Sequence, residues 1–226
     1  MQAVILAAGE GIRLRGENVV PKCLLKVGKK TILEHLLSQL PKEIREVIIV
    51  VGELKNQIKK HIGTNFNGRP IKYIEQSERL GTGHALFVAK GILENKKFLV
   101  LMGDNLYLKR DMESCLRHDL CLLTQKIEAP ERFGVVKVED AHLQDVIESP
   151  KLSAGTLVNC GLYVIDKRIF DYPLVKIGRE EYGLPQTIAK MANDYPVKIE
   201  KATFWMPIQN IQDLKQADKY LKKLYL

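Results

Sequence analysis

Long apolar runs are missing from this 226-residue chain. No stretch approaches the roughly 18 apolar residues that a membrane-spanning helix needs. The opening MQAVILA is apolar but has no basic segment before it, so no signal peptide is expected. Cysteine is scarce. Cys23, Cys115, Cys121 and Cys160 form no CxxC pair and no His-x-Cys cluster, which argues against zinc. Free buried thiols in a reducing cytoplasm are the expectation. Aromatics are only 7% of the residues, and the lysine pairs at 29–30, 59–60, 96–97 and 222–223 lie apart from one another, in no run interleaved with aromatics. The net charge of +8 therefore lacks the clustering of a nucleic-acid surface, and it suits anionic small molecules equally well. Internal repeats and low-complexity linkers are also absent.

What is present is ordinary for a folded domain. Hydrophobic residues make up 46%, enough at this length to bury a core without disulfides or a structural metal. The pattern predicts strands over 3–6, 47–51, 71–74 and 98–102. Predicted helices follow Thr31, run over 54–62, and open at Thr82 to about 92. Thr31 and Glu34 have capping-box spacing. Short strand–helix alternation of this kind predicts an α/β fold, a Rossmann-like mixed, mostly parallel sheet flanked by helices. After Asp104 strands dominate, over 121–125, 133–138, 156–164 and 197–200, and a last amphipathic helix starts near 211. One domain over 1–226 is expected, with a half over 1–105 and a half over 106–226 sharing one sheet.

The segment Leu6-Ala7-Ala8-Gly9-Glu10-Gly11-Ile12-Arg13 follows the first strand. Ligands of open α/β sheets bind at the carboxyl ends of strands. Small residues there let backbone amides approach phosphate oxygens, Arg13 adds a charged fork, and Pro21-Lys22 adds a second cation. The Walker A motif fails because Gly-Ile-Arg stands where Gly-Lys-Ser/Thr is needed. The dinucleotide motif fails because Leu14 stands where a third glycine is needed. Further on, Gln76 offers an amide to a pyrimidine edge, and the backbone of Gly81, Thr82 and Gly83 could lie against a base. Thr82 could equally be a helix N-cap. Asp104 at a strand end is placed to hold Mg²⁺ against phosphates, or simply to cap a loop.

These segments resemble the signature of the sugar-phosphate nucleotidylyltransferases, L-A-A-G-x-G-x-R-L followed by P-K. Leu80-Gly-Thr-Gly-His-Ala is similar to the uridine-binding segment of N-acetylglucosamine-1-phosphate uridylyltransferases. The resemblance implies that Gln76 and Gly81 read the base and that Asp104 binds the metal. It also implies that His84 is no catalyst. Phe133-Gly134-Val-Val, Ile147-Glu148-Ser-Pro and Val158-Asn159-Cys-Gly161 are similar to the family's sugar-contacting segments, which carries Gly134, Glu148, Asn159 and Gly161 to the sugar. Two departures stand out. Ser149 replaces a family lysine, and Pro207 replaces the acidic second metal ligand of the family's W-x-D-I-G segment. Gln209 or Asn210 would then be a neutral oxygen donor, and Asp213 is expected in the final helix.

The implied activity joins a pyrimidine nucleoside triphosphate, UTP or dTTP, to a sugar 1-phosphate and releases pyrophosphate, with Mg²⁺ as cofactor. Arg13, Lys22 and Asp104 are the expected catalytic residues. The partners implied are the two substrates, with no nucleic acid and no membrane. The oligomeric state is left open, a homo-oligomer included. Alternatives are a cytidylyltransferase for an inositol or polyol phosphate, and a non-catalytic nucleotide-sugar sensor.

Overall fold

A computed structural model of the chain describes all residues except 10–11, 14–18, 95, 128–132, 149–154 and 225–226. Its strands are β1 (Gln2–Ala7), β2 (Glu46–Val51), β3 (Asn65–Phe66), β4 (Arg69–Glu75), β5 (Lys97–Met102), β6 (Cys121–Ile127), β7 (Val135–Glu139), β8 (His142–Ile147), β9 (Thr156–Asp166) and β10 (Lys198–Lys201). They form one 10-stranded sheet in the order β6-β10-β8-β7-β9-β5-β1-β2-β4-β3. Strands β5, β1, β2 and β4 are parallel neighbours. Strand β9 runs antiparallel to β5 and joins the mixed second half to this parallel core. It also pairs with β6, so β9, β6, β10, β8 and β7 close into a ring.

The parallel strands are apolar throughout because both of their faces are covered. Side chains alternate: Ala3 and Ile5 of β1 enter one apolar layer, and Val4 and Leu6 enter the other. The first layer is filled by α1 (Ile32–Gln39), α2 (Lys55–Ile62) and α4 (Lys109–Leu116), the second by α3 (Gly81–Val88) and α5 (Leu184–Ala192). Helix α6 (Ile211–Leu224) packs on a smaller cluster around Val27, Ile32 and Ile208. The capping box at α1 is formed: Glu34 N donates to Thr31 Oγ1 at 3.1 Å, and Thr31 N donates to Glu34 Oε2 at 2.6 Å.

Among the longer elements, one strand and two helices lie where sequence patterning assigns none. Strand β8 buries only Leu143 and Val146 fully, too few for a period-two signal. Helix α4 is mostly polar and buries Asp111, Met112 and Cys115. Helix α5 carries Pro185 in its first turn, where the missing N–H has no helical partner to lose. The helix predicted from Thr82 to 92 is shorter: α3 ends at Val88, and a separate 3₁₀ turn covers Lys90–Ile92.

Candidate active site

A cleft of about 520 Å³ opens at the carboxyl ends of β1, β4 and β5. Leu6, Ala7, Ala8 and Gly9 form one wall, and among the described residues, chain neighbours aside, no atom lies within 4 Å of the space a Gly9 side chain would take. The backbone there is open to a ligand. Gly103 N donates to Leu6 O at 2.9 Å and joins the ends of β5 and β1. Gly11 lies outside the described residues. The Arg13 backbone forms a short ladder with Val19, and its side chain also lies outside what is described.

Gln76, directly after β4, is 5% exposed and lines the cleft. Its Nε2 donates to the Gly81 carbonyl at 3.0 Å and to His84 Nδ1 at 3.1 Å. A carbonyl can only accept, so the amide nitrogen must face Gly81. Both amide hydrogens are then used, and what Gln76 keeps for a ligand is its oxygen. His84 accordingly accepts at Nδ1 and serves the pocket by fixing Gln76. Gly81 has φ +84°, and a Cβ there would lie 2.6 Å from the Tyr182 carbonyl, so only glycine fits. Thr82 is not the N-cap that the sequence offered as one reading. That position is Leu80, and Thr82 Oγ1 accepts from Leu184 N at 3.1 Å. Thr82 and Gly81 line the cleft, whereas Gly83 packs against Leu174 and Tyr182.

Lys22, Cys23 and Asp104 meet on the opposite side. Burial raises the Asp104 carboxyl pKa, and the Lys22 ammonium opposes that rise. Burial and the Asp104 charge push the Cys23 thiol up to about 12, so it stays a neutral thiol. Beside Asp104 runs the strand Trp205–Pro207. Pro207 is paired with Asn105, and Ile208 N donates to Asp104 O at 3.0 Å. The segment at which the family carries its second metal ligand thus lies next to Asp104. Asn210 is not free to be that ligand, because its Oδ1 accepts from Gln212 N at 2.8 Å and Asp213 N at 3.0 Å and caps α6. Asp213 lies in α6, where its Oδ2 accepts from Gln209 N and Asn210 N. The Gln209 side chain is half-buried and, among the described residues, unbonded. No group of three or more potential metal-ligating side chains occurs among the described residues.

The residues expected at the sugar also gather. Asn159 N donates to Gly134 O at 2.8 Å, and Glu148 Oε1 lies 3.3 Å from where a Gly134 Cβ would stand. Asn159 Oδ1 accepts from Gly161 N at 3.0 Å, and its Nδ2 donates to Tyr163 at 2.7 Å. Gly161, with φ +72°, abuts Met102, which lines the cleft, whereas Gly134, Glu148, Asn159 and Gly161 are not themselves among its lining residues. Ser149, Pro150 and Lys151 lie outside the described residues. Sequence reasoning missed Arg79, Ile177 and Glu181, which also line the cleft. Ile177 and Glu181 arrive on a hairpin of Val175–Lys176 with Tyr182–Gly183, anchored where Tyr182 N donates to Leu80 O at 2.9 Å. That contact spans about a hundred residues and leaves no local signal.

The chain is similar to known proteins over most of its length. The family described as "Nucleotidyl transferase" matches residues 2–223. The chain is 33% identical to the bifunctional protein GlmU of Methanocaldococcus jannaschii over 231 residues, covering 98% of this chain and 54% of that protein. It therefore spans about half the length of that relative. It is also 33% identical to a UTP–glucose-1-phosphate uridylyltransferase, AglF, of Haloferax volcanii, covering 83% of this chain and 82% of that one. Among solved structures, a putative glucose-1-phosphate thymidylyltransferase from Bacillus anthracis superposes with a TM-score of 0.85 at 23% identity, covering 97% of this chain and 94% of the other. A UDP-glucose pyrophosphorylase bound to UDP-glucose gives 0.84 at 16% identity, covering 98% of each chain. The last two establish the shared fold, and the family match with the two sequence relatives places this chain in the sugar-phosphate nucleotidyltransferase family.

Proposed function

We propose that this chain transfers a uridylyl or thymidylyl group from UTP or dTTP to a sugar 1-phosphate and releases pyrophosphate. The observation that carries the reading is the convergence of Lys22, Gln76, Gly81 and Asp104 with the open backbone of Ala7–Gly9 on one cleft at the strand ends. The half over 1–105 takes the nucleotide and the half over 106–226 takes the sugar. Uracil and thymine present N3–H, which suits the Gln76 oxygen as acceptor. The resemblance of the segment from Leu80 to Ala85 to a uridine-binding segment supports the same choice.

The reaction is an in-line displacement. An oxygen of the sugar phosphate attacks the α-phosphorus, and the bond to the pyrophosphate oxygen breaks. The chain supplies positioning and charge, and no covalent intermediate is required. Lys22 stabilises charge around the reacting phosphates, and Arg13 neutralises the leaving pyrophosphate. Gly134, Glu148, Asn159 and Gly161 orient the sugar. Asp104 fits a magnesium ion of the kind that takes one or two protein carboxylates and completes its shell with substrate phosphates and water. Such an ion would neutralise phosphate charge.

Pyrophosphate release with UTP, dTTP, CTP, ATP and GTP against a panel of sugar 1-phosphates tests this. Turnover is expected with UTP or dTTP. A preference for ATP or GTP would refute the base assignment, a preference for CTP with a polyol phosphate would favour the cytidylyltransferase alternative, and binding without turnover would favour a sensor.

A further inference from the structure

Glu148 stands one residue past the end of β8, exposed to solvent. An exposed glutamate normally samples several rotamers, and a ligand that fixes it must overcome that freedom. Here the carboxylate is already held. Gln186 of α5, only 9% exposed, donates from Nε2 to Glu148 Oε1 at 2.7 Å, with a longer 3.5 Å approach to the Val146 carbonyl. No other hydrogen bond reaches Glu148 among the described residues.

Two features set Gln186 apart from a residue that merely fills space. Its Oε1 is buried and, among the described residues, has no hydrogen-bond partner, a cost that an apolar side chain of the same volume would avoid. The amide also depends on a glycine: a Cβ at Gly183 would come within 1.8 Å of Gln186 Oε1, so any other residue at 183 would displace it. Two positions three apart thus carry a glutamine amide at an energetic cost, and its one short hydrogen bond goes to the proposed sugar acid.

We propose that Gln186 is a positioning residue. It fixes Oε1 of Glu148 and leaves Oε2 as the acceptor for a sugar hydroxyl, while Gly183 keeps the space that Gln186 needs. The proposal rests on the sugar 1-phosphate reading above. Its consequence is specific: Gln186 acts on the sugar and not on the nucleotide.

Gln186→Met keeps the volume and removes the donor. Its KM for glucose 1-phosphate should rise roughly tenfold, the scale of a lost hydrogen bond to a charged group. Its KM for UTP and its thermal midpoint should stay near wild type. Gly183→Ala should reproduce the rise by expelling the amide. In a Glu148→Ala background, Gln186→Met should add nothing, because its effect passes through Glu148. Equal rises in both KM values, or a full additional effect without Glu148, would overturn the proposal, as would an unchanged KM for the sugar phosphate. Calorimetric binding of glucose 1-phosphate to wild type and Gln186→Met gives the same decision without turnover. A wild type that binds the sugar phosphate but turns over no nucleotide would count against the proposed reaction, and the Kd ratio would still judge Gln186.

Discussion

At the residue scale, the site rests on side chains whose freedom has been removed by their neighbours. Gln76 shows this most clearly, since Gly81 and His84 take both of its amide hydrogens and leave one acceptor at the cleft. Gly81→Ala should cost at least about 1–3 kcal/mol, because the new Cβ meets the Tyr182 backbone at a positive φ. Denaturant unfolding measures that cost, and the KM for the nucleotide should rise with it because the Gly81 carbonyl also orients Gln76. The cations act differently. Lys22→Ala and Arg13→Ala should each lower turnover by roughly a hundredfold or more and leave the fold intact, as expected for groups that stabilise developing charge. Steady-state rates with circular dichroism as a folding control check both, and wild-type turnover in the two variants would refute the phosphate roles.

At the scale of elements, the segment that brings Trp205–Pro207 beside Asp104 is held from a distance. Asp111 of α4 is 3% exposed and accepts from Thr203 N at 3.1 Å, Thr203 Oγ1 at 2.7 Å and Phe204 N at 3.2 Å. A buried carboxylate with three donors is satisfied, whereas the donors alone would not be. Asp111→Ala should therefore destabilise the protein by roughly 1.5–3 kcal/mol. It should also weaken activity more than a core truncation of equal cost, because the displaced strand borders Asp104. Urea unfolding paired with pyrophosphate release separates the two effects, and activity that only tracks stability would refute the link.

At the scale of the whole molecule, the parallel half lines most of the cleft, and the mixed half adds Ile177 and Glu181 to it. The proposed metal site lies at their junction. Asp104 comes from the end of β5, and the segment beside it comes from the far end of the chain with proline in place of an acid. With one carboxylate, Mg²⁺ should bind weakly to the free protein and tighten once the triphosphate adds its own oxygens. Asp104→Asn should abolish activity. Pro207→Asp should lower the Mg²⁺ concentration for half-maximal rate, and as Pro207 donates no ladder hydrogen bond, the exchange removes none. Magnesium titrations of the three proteins by calorimetry and pyrophosphate release test this. Full activity in Asp104→Asn, or turnover without any divalent ion, would show that the site is misassigned.

The sequence by itself determined whatever depends on neighbours along the chain. The apolar runs of β1, β2 and β5 announce strands covered on both faces, Thr31 and Glu34 announce a capped helix, and the Ala-Ala-Gly loop and Asp104 are legible because strand ends carry ligands in such sheets. Tertiary structure alone decided what depends on residues far apart. It gave Thr82 to Leu184 and turned the Gln76 amide toward His84. It also brought Ile177 and Glu181 to the cleft and set Gln186 against Glu148. A hydrogen bond's orientation and a side chain's spare valence depend on which partner arrives first, and those partners lie eight to about a hundred positions away, beyond any local period or motif.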